Sequence, residues 1–219
     1  MLDIASRQDD SDVDDPRKED PLDFALWKAW SGQHDEPCWE SPWGHGRPGW
    51  HIECSALSYQ YLGEQLTIHG GGADLVFPHH ESEIAQTETV FRKPPFAQIW
   101  SHVAMVRMNG EKMSKSLGNM VFVRELLSNY SANAIRVYLL SHHYRQVWEW
   151  SPRELDEAAR LAHDLEHAAR APDRSRADVL DAFGEALSED LDTPRALGVL
   201  QSSSGNTLRE LAGALGLDL

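Results

Sequence analysis

The chain has 219 residues, 41% of them hydrophobic, so it is long enough to bury a core and to form one domain with a smaller appendage. Its 35 acidic and 20 basic residues give a formal net charge of −15, which argues against a generic nucleic-acid-binding surface and suits either an ordinary acidic enzyme or a protein from a high-salt cytoplasm. The sequence has no apolar run of membrane-spanning length, no signal-peptide pattern and only two cysteines, Cys38 and Cys54, so we expect no membrane association, no disulfide framework and a cytoplasmic location.

The N-terminal half predicts alternating helices and strands after an acidic lead-in. Residues 1–20 are rich in Asp and Glu, with almost nothing apolar after Ile4, which predicts a disordered arm. The elements predicted next are a short helix-like segment at residues 22–30, a loop rich in Pro, Gly and Trp at 37–49, a helix at 52–61, a buried strand at 66–68 that runs into three glycines, and a helix opened by Pro78.

The C-terminal half begins as a strand and then becomes helical. Residues 99–108 are strand-like and end at Asn109-Gly110, a dipeptide typical of a tight hairpin. Ser151 is a predicted helix N-cap, with Pro152 at the first helical position. The predicted helices lie at residues 123–130, 132–140, 151–171, 177–189, 194–200 and 208–215. Strands that alternate with helices predict an α/β fold with a mainly parallel sheet, followed by an α-helical region.

Three residues have the chemistry and spacing of a metal site. Cys54 offers a soft thiolate, and His79 and Glu83 stand four residues apart, so on a helix they would project from the same face. The structural alternative is a buried cysteine and an ordinary surface pair, both of which are common. On spacing alone, both interpretations stay open.

A second candidate is the donor-rich loop at residues 110–119. It carries two lysines and two serines between glycines, a composition able to wrap a triphosphate and to stabilise charge on a pyrophosphate leaving group. The alternative is an exposed polar hairpin loop. The loop by itself does not decide between them.

Residues 112–116 spell KMSKS, the second signature of class I aminoacyl-tRNA synthetases. From residue 21 to about residue 144 the sequence resembles the cysteinyl-tRNA synthetases of that class in the order and spacing of its segments. Those segments are DFALWK at 23–28, WESPW at 39–43, GRPGWHIEC at 46–54 and HGGGADLVFPHHESE at 69–83. The resemblance implies a partial Rossmann-type class I synthetase catalytic domain followed by an α-helical region.

The resemblance also implies zinc as a cofactor and ATP with magnesium as a substrate. It makes Cys54, His79 and Glu83 the zinc ligands, with the metal binding the thiolate of substrate cysteine and rejecting serine, whose neutral hydroxyl is a far poorer ligand. Trp50 would pack against the bound cysteine and His69 would lie near enough to sense it. For Trp50, plain core packing remains the alternative.

The ATP site that the resemblance implies is formed by the backbone of a glycine, by a carboxylate and by the residues of the KMSKS loop. A glycine permits close approach of the backbone to ATP, and a carboxylate can accept from ribose hydroxyls. The ATP-binding residues implied are Gly71, Asp74, Lys112, Met113, Ser114, Lys115 and Ser116. Lys112 and Lys115 are the catalytic candidates, because the reaction depends chiefly on positioning and charge stabilisation.

The sequence departs from the family pattern at both ends. The HIGH-type first signature and a fourth zinc ligand, a cysteine, normally lie upstream of the matching segment and are not found here; Cys38 is a possible substitute ligand. We predict that residues 21–120 form the second half of the catalytic domain, 121–171 a helical stem and 172–219 a shortened helical bundle. A second chain supplying the HIGH half is therefore a possible partner, and the chain alone is not expected to form the adenylate.

Three functions are compatible with these features. The leading one is a cysteine–tRNA ligase, which activates cysteine with ATP as cysteinyl adenylate and transfers it to tRNA(Cys). The second is a mycothiol-type ligase that joins cysteine to glucosaminyl inositol, suggested by VAMV at 103–106 and WEW at 148–150. The third is a non-catalytic module that binds cysteine, tRNA or a partner chain.

Overall fold

The computed structural model describes Ile4 and residues 13–33, 35–115, 117–174 and 178–219. The chain divides into two compact units, Met1–Val103 and Ala104–Leu219. Most of the predicted disordered arm, and Ser116 of the KMSKS segment, lie outside the described residues. The domain boundaries placed near residues 120 and 171 stay a prediction.

The first unit opens with two short antiparallel strands, β1 (Trp27–Ala29) and β2 (Gly46–Pro48). Trp27 pairs with Pro48, and Ala29 pairs with Gly46. The helix-like segment predicted at residues 22–30 is therefore wrong. Pairing with a segment nearly twenty residues downstream decides its conformation, and a short apolar run carries no local signal of that partner.

A strand–helix–strand arrangement forms the rest of the first unit. Helix α1 (Trp50–Leu62) precedes β3 (Leu66–Gly72), and helix α2 (Glu81–Phe91) connects β3 to β4 (Ala97–Val103). The two strands are parallel, with His69 opposite Trp100 and Gly71 opposite His102. A small buried cluster of Leu66, Phe96 and Ala97 packs where the strands begin. This confirms the predicted parallel pairing in an α/β unit.

Helix α2 begins later than the sequence predicts. A 3₁₀ turn (Ala73–Leu75) and a wider helical turn (Val76–His80) precede it, and Phe77 inside that turn has an extended backbone. Pro78 therefore opens an irregular turn rather than a regular helix. His79 lies in this turn while Glu83 lies in the first turn of α2.

The second unit begins with a three-stranded sheet in the order β6-β5-β7. Its strands are β5 (Val106–Met108), β6 (Glu111–Lys112) and β7 (Trp148–Glu149). Asn109 and Gly110 turn the chain between β5 and β6 with φ values of 55° and 82°. The predicted hairpin is confirmed, because this dipeptide tolerates the left-handed conformation that such a turn requires.

Helices form the rest of the second unit. They are α3 (Val123–Leu126), α4 (Ala132–Leu140), α5 (Pro152–Ala169), α6 (Val179–Ser188), α7 (Thr193–Gln201) and α8 (Gly205–Ala214). The predicted cap on α5 is confirmed, since Ser151 Oγ accepts from the Glu154 amide at 3.3 Å. Apolar faces of α4 to α8 share one core around Val137, Leu200 and Leu208. Among the described residues, no helix is long and apolar enough to cross a membrane.

Candidate metal-binding and ATP-binding residues

The three predicted metal ligands come together in the first unit. Cys54 lies on α1, His79 in the turn before α2, and Glu83 on α2. One potential ligand atom from each lies within 4.8 Å of the other two. His79 Nε2 and Glu83 Oε1 are 3.8 Å apart, close enough for one ion to be shared between them.

Glu83 is the most unusual member of this group because its side chain is 0% exposed. Oε2 is 2.8 Å from His69 Nε2, whereas Oε1 has no hydrogen-bond partner among the described residues. Burial raises the pKa of Glu83, and the hydrogen bond with His69 opposes that rise. A buried carboxyl oxygen without a partner costs free energy, which a bound cation at Oε1 would offset.

The protonation states of the other two residues also suit a metal. Burial lowers the pKa of His79 to about 4, so at neutral pH the imidazole is uncharged and has a lone pair for coordination. Burial, with Glu83 and Glu53 nearby, raises the pKa of the Cys54 thiol, whose proton a metal would displace. Thiolate, imidazole and carboxylate together form a ligand set that zinc accepts. Cys38 is exposed and belongs to neither group of potential ligands found among the described residues.

Two aromatic residues at the start of α1 hold His79. The Trp50 indole stacks on the His79 ring with centroids 4.4 Å apart. His51 Nδ1 lies 2.8 Å from His79 Nδ1, and both rings are buried. Trp50 is 38% exposed, so it is not a plain core residue. Its contact with a substrate cysteine stays a prediction.

Further histidines lie near Glu83: His69, which was predicted to lie near the substrate cysteine, and His80 and His102, for which no role was predicted. His69 on β3 contacts Glu83, and His80 Nδ1 lies 2.8 Å from His102 Nε2. His69, His80 and Glu83 form a second group with potential ligand atoms within 4.8 Å, so Glu83 is common to both groups. The sequence signal was the recurrence of histidine on both strands and in the intervening turn. The strand register that brings these side chains together could not be read from it.

Gly71 and Asp74, predicted to approach ATP, lie at the end of β3 and in the turn after it. A Cβ atom at Gly71 would stand 2.9 Å from His80 Cε1 and 3.1 Å from Leu75 Cδ1. The buried ring of His80 therefore explains the glycine at this position without reference to a nucleotide. Asp74 is exposed and lies in the 3₁₀ turn. Their part in ATP binding stays a prediction.

The described KMSKS residues lie on β6 and the loop that follows. Lys112 and Lys115 are exposed, while Met113 and Ser114 are half-buried. The Met113 amide donates to Val106 O at 2.9 Å, which extends the hairpin by one rung. Asn119, which the sequence analysis did not assign a role, accepts from the Ser114 amide at 2.8 Å and donates to Lys112 O at 3.2 Å.

Comparison with known proteins places these residues in a family. A Cysteine--tRNA ligase of Dehalococcoides mccartyi is 45% identical over 226 residues, covering 92% of this chain and 49% of that protein. One of Parvibaculum lavamentivorans is 50% identical over 190 residues, covering 84% of this chain and 40% of that protein. The chain thus spans about half the length, or somewhat less, of the curated relatives it matches.

A solved structure shares the fold. The ternary complex of Agrobacterium radiobacter K84 agnB2 LeuRS with tRNA and LeuAMS superimposes with a TM-score of 0.52 at 16% identity, covering 82% of this chain and 29% of that one. The family model described as tRNA synthetases class I (C) catalytic domain matches residues 2–160, well over half of the sequence. The chain therefore belongs to the family of class I (C) tRNA synthetase catalytic domains.

Proposed function

We propose that this chain supplies the cysteine-selecting part of a cysteine–tRNA ligase, which activates cysteine with ATP as cysteinyl adenylate and transfers the cysteinyl group to tRNA(Cys). The observation that carries the proposal is the convergence of Cys54, His79 and Glu83 around a buried carboxyl oxygen without a hydrogen-bond partner. The relatives named Cysteine--tRNA ligase support it. We also propose a cytoplasmic location, where tRNA and free thiols are available.

Cys54, His79 and Glu83 would hold zinc. Bound there, zinc would accept the thiolate of cysteine and discriminate against the neutral hydroxyl of serine. Trp50, with part of its indole exposed, would form a wall beside the amino acid. His69 is proposed on the opposite side, next to Glu83. The residues of this chain thus orient the amino acid and select it by its sulfur.

ATP, with magnesium, is the proposed second substrate. Lys112 and Lys115 would stabilise the charge that develops on the pyrophosphate as the cysteine carboxylate attacks the α-phosphate. Met113, Ser114 and Ser116 would complete the loop. Gly71 and Asp74 would approach the nucleotide through the backbone and the ribose hydroxyls.

A partner is also proposed, because one face of the β3–β4 sheet is open. Ile68 and Ile99 are paired across the strands, so they share a face, and they are 63% and 54% exposed. The opposite face carries His69 and Trp100, which contact each other. Parallel sheets are normally covered on both faces. A second chain bearing the HIGH half of a class I catalytic domain would cover this apolar face.

Cysteine binding by the zinc-loaded chain tests the site directly. We expect titration calorimetry to detect cysteine but not serine, and we expect Cys54→Ala to remove both zinc and cysteine binding. Equal binding of cysteine and serine would contradict the proposed selection by the metal. His163→Ala, at an exposed histidine on α5, is the matched control and should bind as the unsubstituted chain does.

Product formation identifies the acceptor that receives the cysteinyl group. With cysteine, ATP and the HIGH half added, tRNA(Cys) should be charged and glucosaminyl inositol should give no product; the reverse result would establish the mycothiol-type ligase instead. The chain alone should show no cysteine-dependent exchange of pyrophosphate into ATP. Exchange that appears without the HIGH half and disappears with Lys115→Ala would contradict the need for a partner.

A further inference from the structure

The carboxyl group of Glu83 divides its two oxygens between different neighbours. Oε2 is engaged by His69 Nε2 at 2.8 Å, whereas Oε1 points toward His79 Nε2 at 3.8 Å and has no hydrogen-bond partner among the residues described. When Glu83 is ionised, as a metal ligand would be, its carboxylate can only accept, so His69 would donate through Nε2. The hydrogen bond therefore selects Oε1 as the oxygen left for coordination.

His69 is itself held in place. Its ring contacts Trp100 at a centroid distance of 4.9 Å and His80 at 4.7 Å, and it meets the Phe96 ring edge-on at 5.7 Å. These neighbours lie on β4, just before it, and in the turn before α2. A donor fixed by packing on a strand can hold its acceptor in one orientation.

His79 has a corresponding partner in His51. Coordination through Nε2, the nitrogen that faces Glu83, would require the proton of a neutral His79 ring to reside on Nδ1. That Nδ1 lies 2.8 Å from His51 Nδ1, which would then accept the proton in a hydrogen bond. Trp50 stacks on the His79 ring and limits its rotation.

We propose that His51 and His69 are positioning residues of the metal site, with His51 holding His79 and His69 holding Glu83 so that Nε2 and Oε1 face the same point as the Cys54 sulfur. Neither histidine is a metal ligand in this arrangement. The proposal rests on the proposed zinc site and extends it by two residues. Partners of this kind fix the tautomer and orientation of a ligand, and their removal commonly weakens metal binding by about 10- to 100-fold.

The competing arrangement is a second metal held by His69, His80 and Glu83. A cation bound through His69 Nε2 and Glu83 Oε2 would replace the hydrogen bond that joins these two atoms at 2.8 Å. His80 would have only Nε2 for that cation, because its Nδ1 lies 2.8 Å from His102 Nε2. A single ion beside Cys54 leaves all of these hydrogen bonds in place, which favours the positioning role.

Zinc affinity of the full 219-residue chain, measured by competition with a chromophoric chelator, tests the proposal. We expect His51→Ala and His69→Ala each to weaken zinc binding by about 10- to 100-fold. His51→Asn keeps an acceptor near the Nδ1 position, and His69→Gln keeps a donor near the Nε2 position. The zinc affinities of both variants should stay within about threefold of that of the unsubstituted chain. This change is much smaller than the loss expected when a positioning contact is removed. His163→Ala should not change the affinity.

Absorption spectra of the cobalt(II)-loaded chain give a second measurement, which would not change if His69 had only a structural role. His69→Ala should retain the thiolate-to-cobalt band of Cys54 while the ligand-field bands shift, because the orientation of Glu83 changes. His69→Gln should restore the original bands.

The possible results distinguish a failure of the positioning roles of His51 and His69 from a failure of the zinc site itself. Unchanged zinc affinity in both alanine variants, with binding still dependent on Cys54, would overturn the positioning roles and leave the zinc site intact. Two zinc ions per chain, one of them lost in His69→Ala, would make His69 a ligand and also overturn the inference. Absence of zinc binding by the unsubstituted chain would overturn the zinc site itself.

Discussion

The Asn119 side chain bridges two points of the KMSKS segment: Oδ1 accepts from the Ser114 amide at 2.8 Å, and Nδ2 donates to Lys112 O at 3.2 Å. Both bonds join residues of one loop, so the side chain restrains the backbone between the two proposed catalytic lysines. The consequence is local and can be measured without an assay for catalysis.

Asn119→Ala should speed hydrogen exchange at the Ser114 amide by roughly twofold to tenfold, because one hydrogen bond contributes about 0.5–1.5 kcal/mol. Asn119→Asp keeps an acceptor for that amide and should largely preserve its protection. The Met113 amide, which donates to Val106 O, is an internal control and should not change in either variant. An unchanged Ser114 rate in Asn119→Ala would show that the bridge does not restrain the loop.

Asn133 should contribute to the stability of the second unit. The side chain is only 8% exposed; its Nδ2 donates to Asp218 O at 2.7 Å and to Glu166 Oε1 at 3.2 Å, while Oδ1 accepts from the Asp218 amide. Asn133→Ala removes these three hydrogen bonds to Glu166 and Asp218, and we expect a loss of about 1–3 kcal/mol in the free energy of unfolding. Urea denaturation measures it. The exposed Asn129→Ala control should change stability by no more than about 0.5 kcal/mol.

Asp190 should make the stability of the folded chain vary with pH in the acidic range. Hydrogen bonds from Arg145 and Tyr144 lower the pKa of Asp190 from its ordinary value of 3.8 to about 2. A carboxyl group with a depressed pKa in the folded state stabilises that state above its unfolded pKa, and the contribution is lost as the pH falls toward 2.

Asp190→Asn removes that contribution. We expect its melting temperature to lie below that of the unsubstituted chain at pH 5–7, and the difference to shrink below about pH 4 and vanish near pH 2. Added salt should reduce the difference, because the pair is partly exposed. Asp164→Asn, at an exposed position of α5, is the control. A difference that does not vary between pH 7 and pH 2 would contradict the prediction.

Gly71 and Gly184 offer a matched pair of substitutions. Alanine at Gly71 would place its Cβ 2.9 Å from the buried His80 ring, and we expect the first unit to lose about 1–3 kcal/mol of stability. Gly184 lies inside α6, and apart from its own helix backbone and its chain neighbours no described residue has an atom within 4 Å of the added Cβ. Alanine there should therefore stabilise the second unit by about 0.5–1 kcal/mol. Hydrogen exchange resolved by residue measures each unit separately. A stabilising Gly71→Ala would mean that His80 can move away.

Local patterns predicted the second unit well. The Asn109-Gly110 turn and the Ser151 cap depend on atoms only a few residues apart, so the residues themselves carry the signal. The helix predicted at residues 132–140 coincides with Ala132–Leu140. Apolar residues at helical spacing were sufficient there, because each helix buries one face against the same core.

At residues 22–30 the predicted helix is wrong, and the short strand Trp27–Ala29 lies there instead. The apolar residues around Trp27 have no preference strong enough to resist pairing with Gly46–Pro48. At Pro78 the error was smaller, since α2 starts at Glu81 after an irregular turn. The i,i+4 spacing of His79 and Glu83 still brought their side chains to within 3.8 Å.

The sequence by itself determined the donor types of the candidate metal site, the KMSKS loop and the family, because these depend on residue identity and spacing. The tertiary structure decided which oxygen of Glu83 is engaged by His69 and which nitrogen of His79 faces it. Those contacts depend on the register of β3 and on the turn that orients α2. A shift of one residue in that register would turn His69 to the other face of the sheet, and no local pattern specifies it.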